Sequence, residues 1–259
     1  MVALTALVGA CATVPITGRQ QLNLIPASEL YALSVTEYGQ FLASHPLSKD
    51  RAQTAMVQRT GGRIRQAVER FFIEQKQPNK LDGYGWEFNL VESKEVNAWC
   101  MAGGKVVVYT GLLPVTRDEA GLAVVMGHEI AHAIAEHGNE RMSQGLLTQL
   151  GGEVLSQALK TKGEQTRSIF MNAFGIGAEV GVLLPFSRTQ ESEADRLGII
   201  FMAMAGYDPH AAPELWRRMA AQNQGGAPLE FLSTHPSDER RIRDLEAAVP
   251  EAMRYYRKQ

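Results

Sequence analysis

The order of apolar and polar positions predicts a mainly helical protein with one small β-sheet. In six long segments an apolar stripe recurs with helical spacing, which is typical of helices that bury one face. These segments are residues 54–76, 117–137, 139–160, 188–205, 209–222 and 237–248. Between residues 84 and 110 the pattern changes to β-branched and aromatic runs, at 86–92 and 106–109, with Gly103 and Gly104 as a turn. The sequence therefore predicts an α+β domain in which helices surround one sheet.

Two of the predicted helices carry start signals. Thr116 is followed three positions later by Glu119, which is the spacing of a capping box. Ser187 and Gln190 have the same spacing. We therefore expect Thr116 and Ser187 to be the N-cap residues of their helices.

The N-terminus has the pattern of a bacterial export signal. The run MVALTALVGAC is apolar and ends in small residues, which predicts a signal peptide over residues 1–10 and cleavage before Cys11. Because this stretch resembles a lipoprotein box, we expect acyl chains on Cys11 and a membrane-anchored arm over residues 11–50. Among the lipoproteins it resembles, Ala12 after the cysteine indicates the outer membrane, with the inner membrane as the alternative. No Lys or Arg precedes the run, which fits either a signal truncated at its start or a short apolar N-terminus with a chance cysteine.

Length and composition indicate one sizeable domain that does not bind nucleic acid. The chain has 259 residues and a net charge of −2, so it carries no overall basic field for a polyanion. We assign residues 51–250 to the main domain and 251–259 to a tail. The apolar stretch 169–186 is long enough to approach a membrane span, but Asn172 and Glu179 lie inside it, which favours a buried core helix.

The candidate chemistry lies in the segment MGHEIAHAIAEHGNER, residues 126–141. His128 and His132 are four positions apart, so on a helix they share a face with β-carbons about 5–6 Å apart. Two imidazoles placed in this way suit a zinc ion, and Glu129 lies next to their row, where it can hold a water molecule. The alternative is a solvated helix face with a surface charge. The apolar neighbours of the pair favour burial, and buried histidines need partners.

The next residues of this helix fit poorly as a third ligand. His137 lies five positions after His132, about 140° round the helix. We therefore expect it to support the site or to lie at the surface. Glu136 continues the row of the two histidines, but a converging bond from that position is awkward.

A later helix supplies better candidates. Glu191 and Asp195 are four positions apart and share a face. Glu191 can complete a site of two histidines and one glutamate, and Asp195 can accept a hydrogen bond from a ligand histidine. The alternative is a charged helix face without a metal. Glu193 is off this face, and we expect it to be solvated.

Four motifs together resemble peptidase family M48. They are HEIAHAIAEHGNER, SRTQESEADRLG, AGYDP and THPSDERRI, and the likeness extends from about Gly18, in TGRQQLNLIP, to about Leu245. The resemblance implies a zincin fold of the gluzincin-like type and one Zn²⁺ per chain. It implies the following roles: zinc ligands His128, His132 and Glu191, general base Glu129, and supporting residue Asp195.

The resemblance also implies a substrate cleft. Asn97 and Ala98 match a pair that lies near the cleft in this family. In zinc peptidases of this type, an edge strand beside the metal pairs with extended substrate, and we expect Val106, Val107 and Val108 to provide it.

His235 is open to three interpretations. A histidine before a proline at a helix start is usually a cap or a surface residue. In similar periplasmic peptidases this histidine lies near the metal, where it either occupies the open position and keeps the enzyme latent or donates to the developing oxyanion. We count His235 among the catalytic candidates, with Arg240 as a helper.

The function implied by the resemblance is zinc-dependent peptide hydrolysis in the bacterial envelope. The expected substrates are unfolded or extended polypeptides, cleaved by a zinc-activated water with Glu129 as base. The expected location is the periplasm, and envelope assembly factors are candidate partners. The alternative is an envelope assembly or chaperone-like binding protein whose zinc site is latent or structural.

Overall fold

The computed structural model describes residues 11–150, 164–174, 176, 186–223, 229–236 and 239–257. The strands are β1 (Cys11–Thr13), β2 (Gln20–Leu22), β3 (Glu87–Val91), β4 (Ala98–Met101) and β5 (Lys105–Tyr109). The helices are α1 (Ala27–Ser44), α2 (Arg51–Glu74), α3 (Leu113–Thr116), α4 (Glu119–Ile134), α5 (His137–Leu150), α6 (Glu164–Ala173), α7 (Arg188–Met204), α8 (Ala211–Asn223), α9 (Glu230–Thr234) and α10 (Glu239–Met253). The mainly helical α+β prediction is confirmed, with a small β1–β2 sheet in addition to the predicted one.

The larger sheet has the order β3-β5-β4. β5 pairs in parallel with β3 and antiparallel with β4. The expectation that Val106, Val107 and Val108 form an edge strand is therefore wrong, because both sides of β5 already carry a strand. The sequence pattern shows that this run is a strand but not which neighbours it has.

The start of α4 differs from the prediction. Asp118 is the N-cap, and its side chain accepts a hydrogen bond from the Gly121 amide at 2.8 Å. Thr116 ends the preceding turn of helix, where its hydroxyl donates to the carbonyl of Leu113. The left-handed backbone of Arg117, with φ of 69°, separates the two helices. The predicted capping box of Ser187 is present at the start of α7.

Helices α4 and α7 pack at unusually short range through two glycines. A Cβ atom built on Gly198 would lie 2.8 Å from the backbone nitrogen of His128, and one on Gly127 would lie 2.9 Å from the carbonyl oxygen of Gly198. Only residues without a side chain permit this approach. The contact brings the two helices that carry the candidate ligands together.

The N-terminal arm packs on the body of the protein. Tyr38 and Phe41 of α1 lie against Trp99 and Tyr109 of the sheet in a second apolar cluster. The aromatic rings meet edge to face, which is the preferred geometry of such pairs. The arm thus covers the face of the sheet opposite α4.

Part of the apolar stretch 169–186 lies outside the described residues. Helix α6 ends at Ala173, and Phe170, Phe174 and Ile176 are buried. The described part of the chain contains no helix long and apolar enough to cross a membrane. The predicted signal peptide, residues 1–10, also lies outside the described residues.

Candidate metal centre

Four buried side chains converge on one point between α4, α7 and the end of α9. His128 and His132 come from α4, Glu191 comes from the first turn of α7, and His235 follows α9. Each offers one ligand atom, and these atoms all lie within 4.8 Å of one another. Nε2 of His128 lies 3.0 Å from Nε2 of His132 and 3.2 Å from Nδ1 of His235. The structure therefore brings three predicted ligands together and adds His235 as a fourth.

The distances between these donor atoms fit a zinc ion. Oε1 of Glu191 lies 3.3 Å from Nε2 of His132 and 2.8 Å from Nδ1 of His235. Donors at about 2.0–2.1 Å from a tetrahedral zinc are about 3.3 Å apart. Ring nitrogens that face each other without a hydrogen between them repel, and a cation relieves that repulsion. Two or three imidazoles with one carboxylate and no thiolate form a common zinc ligand set.

The local field also favours a cation. Burial alone lowers the pKa of His128, yet the carboxylates of Glu191 and Asp195 outweigh burial and raise this pKa to about 9. Burial raises the pKa of Glu191, but Arg241, His235 and His128 keep it well below its usual value. An ionised carboxylate thus lies at the centre of the site.

His128 is oriented by a carboxylate on its far side. Its Nδ1 lies 2.9 Å from Oδ1 of Asp195, so an Nδ1–H donated to Asp195 leaves Nε2 free for a metal. Arg241 donates to both oxygens of Asp195, at 2.7 and 2.8 Å. Its guanidinium also lies over the ring of Trp216, 3.5 Å from the centroid. Asp195 thus occupies the place the sequence predicted for it.

Arg241, rather than the predicted Arg240, reaches the site. Arg240 is exposed and pairs with Asp244 on its own helix. Arg241 is buried and also places Nη1 at 2.5 Å from Oε2 of Glu191. Adjacent arginines differ by about 100° round a helix, and the sequence does not show which one faces inwards.

His132 is oriented by a second set of residues, one of which, Glu193, was predicted to be solvated. Its Nδ1 lies 2.9 Å from Nδ1 of His137, whose Nε2 lies 3.1 Å from Oε2 of Glu193. His137 is fully buried, which excludes the surface alternative. Glu193 is also buried, contrary to the prediction, because Arg19 and Thr17 of the N-terminal arm bond to it. Arg19 was not predicted, because its only signal in the sequence is its place in the motif TGRQQLNLIP.

Glu129 lies beside the ligand atoms without belonging to them. Its Oε1 lies 3.3 Å from Nε2 of His235. Burial raises the pKa of Glu129 to about 8, which suits a group that both takes and returns a proton. The position and the pKa agree with the role of general base.

The edge strand of the sheet next to α4 is β4, and its residues are buried. Among the described residues no strand lies beyond β4, which packs against α4. The Tyr109 amide donates to the carbonyl of Asn97 at 3.1 Å, and the antiparallel ladder alternates from there. The backbone groups of Ala98 and Cys100 therefore point away from β5, and the Asn97 side chain accepts from the Ala98 amide.

A groove opens next to the candidate ligand Glu191. Its other lining residues come from the start of α7 and from the region around α10. They are Phe186, Arg188, Ser192, Pro236, Arg240, Arg241 and Asp244. The groove gives a ligand access to one side of the centre.

Comparison with known proteins is consistent with this site. The family model of peptidase family M48 matches residues 58–249. The chain is 40% identical over 168 residues to mitochondrial metalloendopeptidase OMA1 of Schizosaccharomyces pombe, covering 64% of this chain and 48% of that protein. It is 30% identical over 251 residues to mitochondrial metalloendopeptidase OMA1 of Bos taurus, covering 93% and 46%. It is 33% identical over 165 residues to the beta-barrel assembly-enhancing protease of Yersinia pestis, covering 61% and 33%.

The chain spans less than half of the length of each of these three relatives. The match to the family model nevertheless includes all four converging side chains and Glu129. The chain belongs to peptidase family M48, a family of zinc-dependent metallopeptidases.

Proposed function

We propose that this protein is a zinc endopeptidase of the bacterial envelope that cleaves unfolded or extended polypeptides. The observation that carries the proposal is the convergence of His128, His132 and Glu191, with Glu129 next to them. Two oriented imidazoles and one carboxylate leave a fourth position for the reaction, which is the arrangement of a catalytic zinc site.

The residues of the site divide the chemistry between them. Zinc, when bound, polarises the scissile carbonyl and lowers the pKa of a water to about 7. Glu129 takes the proton of the attacking water and returns it to the leaving amine, so that one carboxyl group serves both halves of the reaction. Asp195 and His137 hold the two ligand imidazoles in their orientations throughout.

His235 occupies the position that substrate needs. Its Nδ1 faces Glu191 and His128 while its Nε2 faces Glu129. This geometry favours a fourth ligand over a donor to an oxyanion. We propose that His235 keeps the centre latent and leaves when substrate enters.

The edge of β4 is the proposed place of the substrate backbone. The Cys100 backbone groups and the Ala98 carbonyl face away from β5, and an extended peptide that pairs with them would add as a further strand. Main-chain hydrogen bonds give affinity with little demand on sequence, which suits unfolded polypeptide. Asn97 holds the start of this edge through its bond to the Ala98 amide.

The envelope assignment rests on the N-terminus and on one relative. The apolar run before Cys11 resembles a lipoprotein signal, and the Yersinia pestis relative is named as a beta-barrel assembly-enhancing protease. We propose a lipid anchor on Cys11 and a role in quality control of envelope proteins. The competing possibility is a role in an organelle, because two of the relatives are named as mitochondrial proteins.

A binding protein with a closed zinc site is the second candidate. The observation that favours it is the docked His235, which gives the centre four protein ligands, as structural zinc sites have. Such a protein would bind zinc and polypeptide without cleaving.

Zinc content and casein hydrolysis, measured together, separate the two candidates. We expect wild type to bind one zinc and cleave casein, and Glu129→Gln to bind zinc without cleavage. Glu119→Gln, at the start of the same helix, is the control and should cleave as wild type does. We expect His235→Ala to keep zinc and cleave faster. Zinc in all variants with no cleavage by any of them, including His235→Ala, would support the binding protein instead.

A further inference from the structure

A line of buried hydrogen bonds connects the ligand His132 to the N-terminal arm. It begins at Nδ1 of His132, 2.9 Å from Nδ1 of His137. Nε2 of His137 lies 3.1 Å from Oε2 of Glu193. Nε of Arg19 then donates to both oxygens of Glu193, at 3.0 Å each. The line of four side chains, from His132 to Arg19, thus connects a metal ligand to a residue more than 100 positions away in the sequence.

Arg19 bonds to carboxylates on two helices of the site, Glu193 on α7 and Glu140 on α5. Its Nη1 and Nη2 donate to the two oxygens of Glu140 on α5, at 2.7 and 2.9 Å. Glu140 also accepts from Gln190 at 2.7 Å, and Gln190 precedes the ligand Glu191. One guanidinium therefore lies between two buried carboxylates, bonds to both and reduces their repulsion.

The neighbouring residues of the arm fasten the corner between α4 and α5. Gln21 donates to the carbonyl of Ala135 at 2.6 Å, and the amide of Leu24 donates to the hydroxyl of Ser143 at 2.9 Å. Asn139 donates to the carbonyl of Ile25 at 2.9 Å. This corner begins the helix that carries His137. The arm therefore holds the position of the whole line.

The carboxylate of Glu193 decides which nitrogen donates in each hydrogen bond between the two histidines and itself. A carboxylate only accepts, so Nε2 of His137 must donate to Glu193. The other nitrogen of a neutral His137 then accepts from Nδ1–H of His132. This leaves the lone pair on Nε2 of His132, which faces His128 and Glu191.

We propose that Arg19 is a positioning residue of the metal centre, which through Glu193 and His137 sets the tautomer and orientation of His132. The proposal rests on the proposed zinc ligation by His132. Outer residues that orient metal ligands typically contribute about ten- to a hundredfold to metal affinity. Through Arg19 the N-terminal arm contributes to the geometry of the metal centre and is more than a connection to an anchor.

Zinc affinity, measured by competition with a chromogenic chelator, tests the proposal. We expect Arg19→Ala to bind zinc about ten- to a hundredfold more weakly than wild type. Arg19→Lys restores the charge but not the fork that reaches two carboxylates, so it should recover only part of the loss. The control is Gln20→Ala, an exposed neighbour whose side chain donates to the hydroxyl of Thr13 and not to the line. It should bind zinc as wild type does.

A double-variant cycle separates the line of bonds from a general loss of structure. Glu193→Gln keeps the shape of the side chain and should lower zinc affinity while the circular dichroism spectrum stays that of wild type. Because Arg19 acts through Glu193, the double variant should bind no more weakly than the weaker single variant. Additive losses would mean independent structural roles and would overturn the proposal.

Histidine nitrogen NMR of the zinc-free protein gives a second readout. We expect the His132 ring to be protonated at Nδ1 in wild type and to become a mixture of tautomers in Arg19→Ala. If Arg19→Ala matches Gln20→Ala in tautomer and zinc affinity, the inference is wrong and the proposed function stands. If wild type itself binds no zinc, the proposed function fails first.

Discussion

Replacement of Gly198 by alanine tests whether the contact between α4 and α7 sets the geometry of the site. The added methyl group would lie 2.8 Å from the backbone nitrogen of His128 and 2.9 Å from the carbonyl carbon of Gly127. Both neighbours are helix backbone, which cannot rotate away as a side chain can. The helices must therefore separate by about half an ångström to reach ordinary contact distances.

The expected loss has two parts. Overpacking of a core costs about 1–3 kcal/mol, and the better helix propensity of alanine returns about 0.5–1 kcal/mol. The free energy of unfolding should thus fall by up to about 2.5 kcal/mol. The same displacement moves His128 on α4 away from Glu191 on α7. Metal sites keep their distances within about 0.2 Å, so zinc affinity should fall by about tenfold or more.

Urea unfolding and zinc competition measure the two effects in the same variant. Gly62→Ala is the matched control, because a Cβ on Gly62, within α2, has nothing within 4 Å. There alanine should stabilise by up to about 1 kcal/mol and leave zinc affinity unchanged. If Gly198→Ala stabilised the protein as Gly62→Ala does, with normal zinc affinity, the inferred close contact would not exist.

Three further outcomes follow from the same structure. Asp195→Asn should weaken zinc binding about ten- to a hundredfold, by chelator competition, because the neutral amide is a weaker acceptor for His128 and offers Arg241 one oxygen instead of two. Removal of zinc with a chelator should lower the thermal midpoint, and zinc but not magnesium should restore it, because Mg²⁺ prefers oxygen ligands. Burial raises the pKa of Tyr109 to about 12, so the unfolded chain ionises first and stability falls from about pH 10 upwards. In urea titrations at pH 8 and pH 11, Tyr109→Phe should lose less stability than wild type.

The pairing of the candidate ligands was predictable from the sequence because their spacing is local. His128 with His132, and Glu191 with Asp195, are each four positions apart, and a helix of 3.6 residues per turn places such pairs on one face. The pattern of a single helix therefore decides the geometry of each pair. Family resemblance was needed only to join the two pairs.

The supporting residues were not predictable in the same way. Arg19 reaches Glu193 across 174 positions of sequence, and no periodicity relates the two. Glu193 was expected to be solvated because it lies off the face of Glu191, yet the arm covers that second face. Arg240 and Arg241 are adjacent residues of the same type, so the sequence does not show which of the two side chains points towards the site.

The position of β5 in the sheet was the remaining feature predicted wrongly. The run of valines from Val106 marks a strand, and a continuous apolar run is typical of a strand that is buried on both faces of its sheet. Assignment of the edge requires the order of the strands, which depends on how residues 98–101 fold back on β5. The turn at Gly103 and Gly104, both with positive φ, makes that return.

X-ray absorption at the zinc edge tests the central claim most directly, because it counts the ligands in wild type and in His235→Ala. We predict a first shell of nitrogen and oxygen at about 2.0–2.1 Å, with three imidazoles in wild type and two in His235→Ala. A sulfur ligand at about 2.3 Å, or the same number of imidazoles in both proteins, would contradict the account.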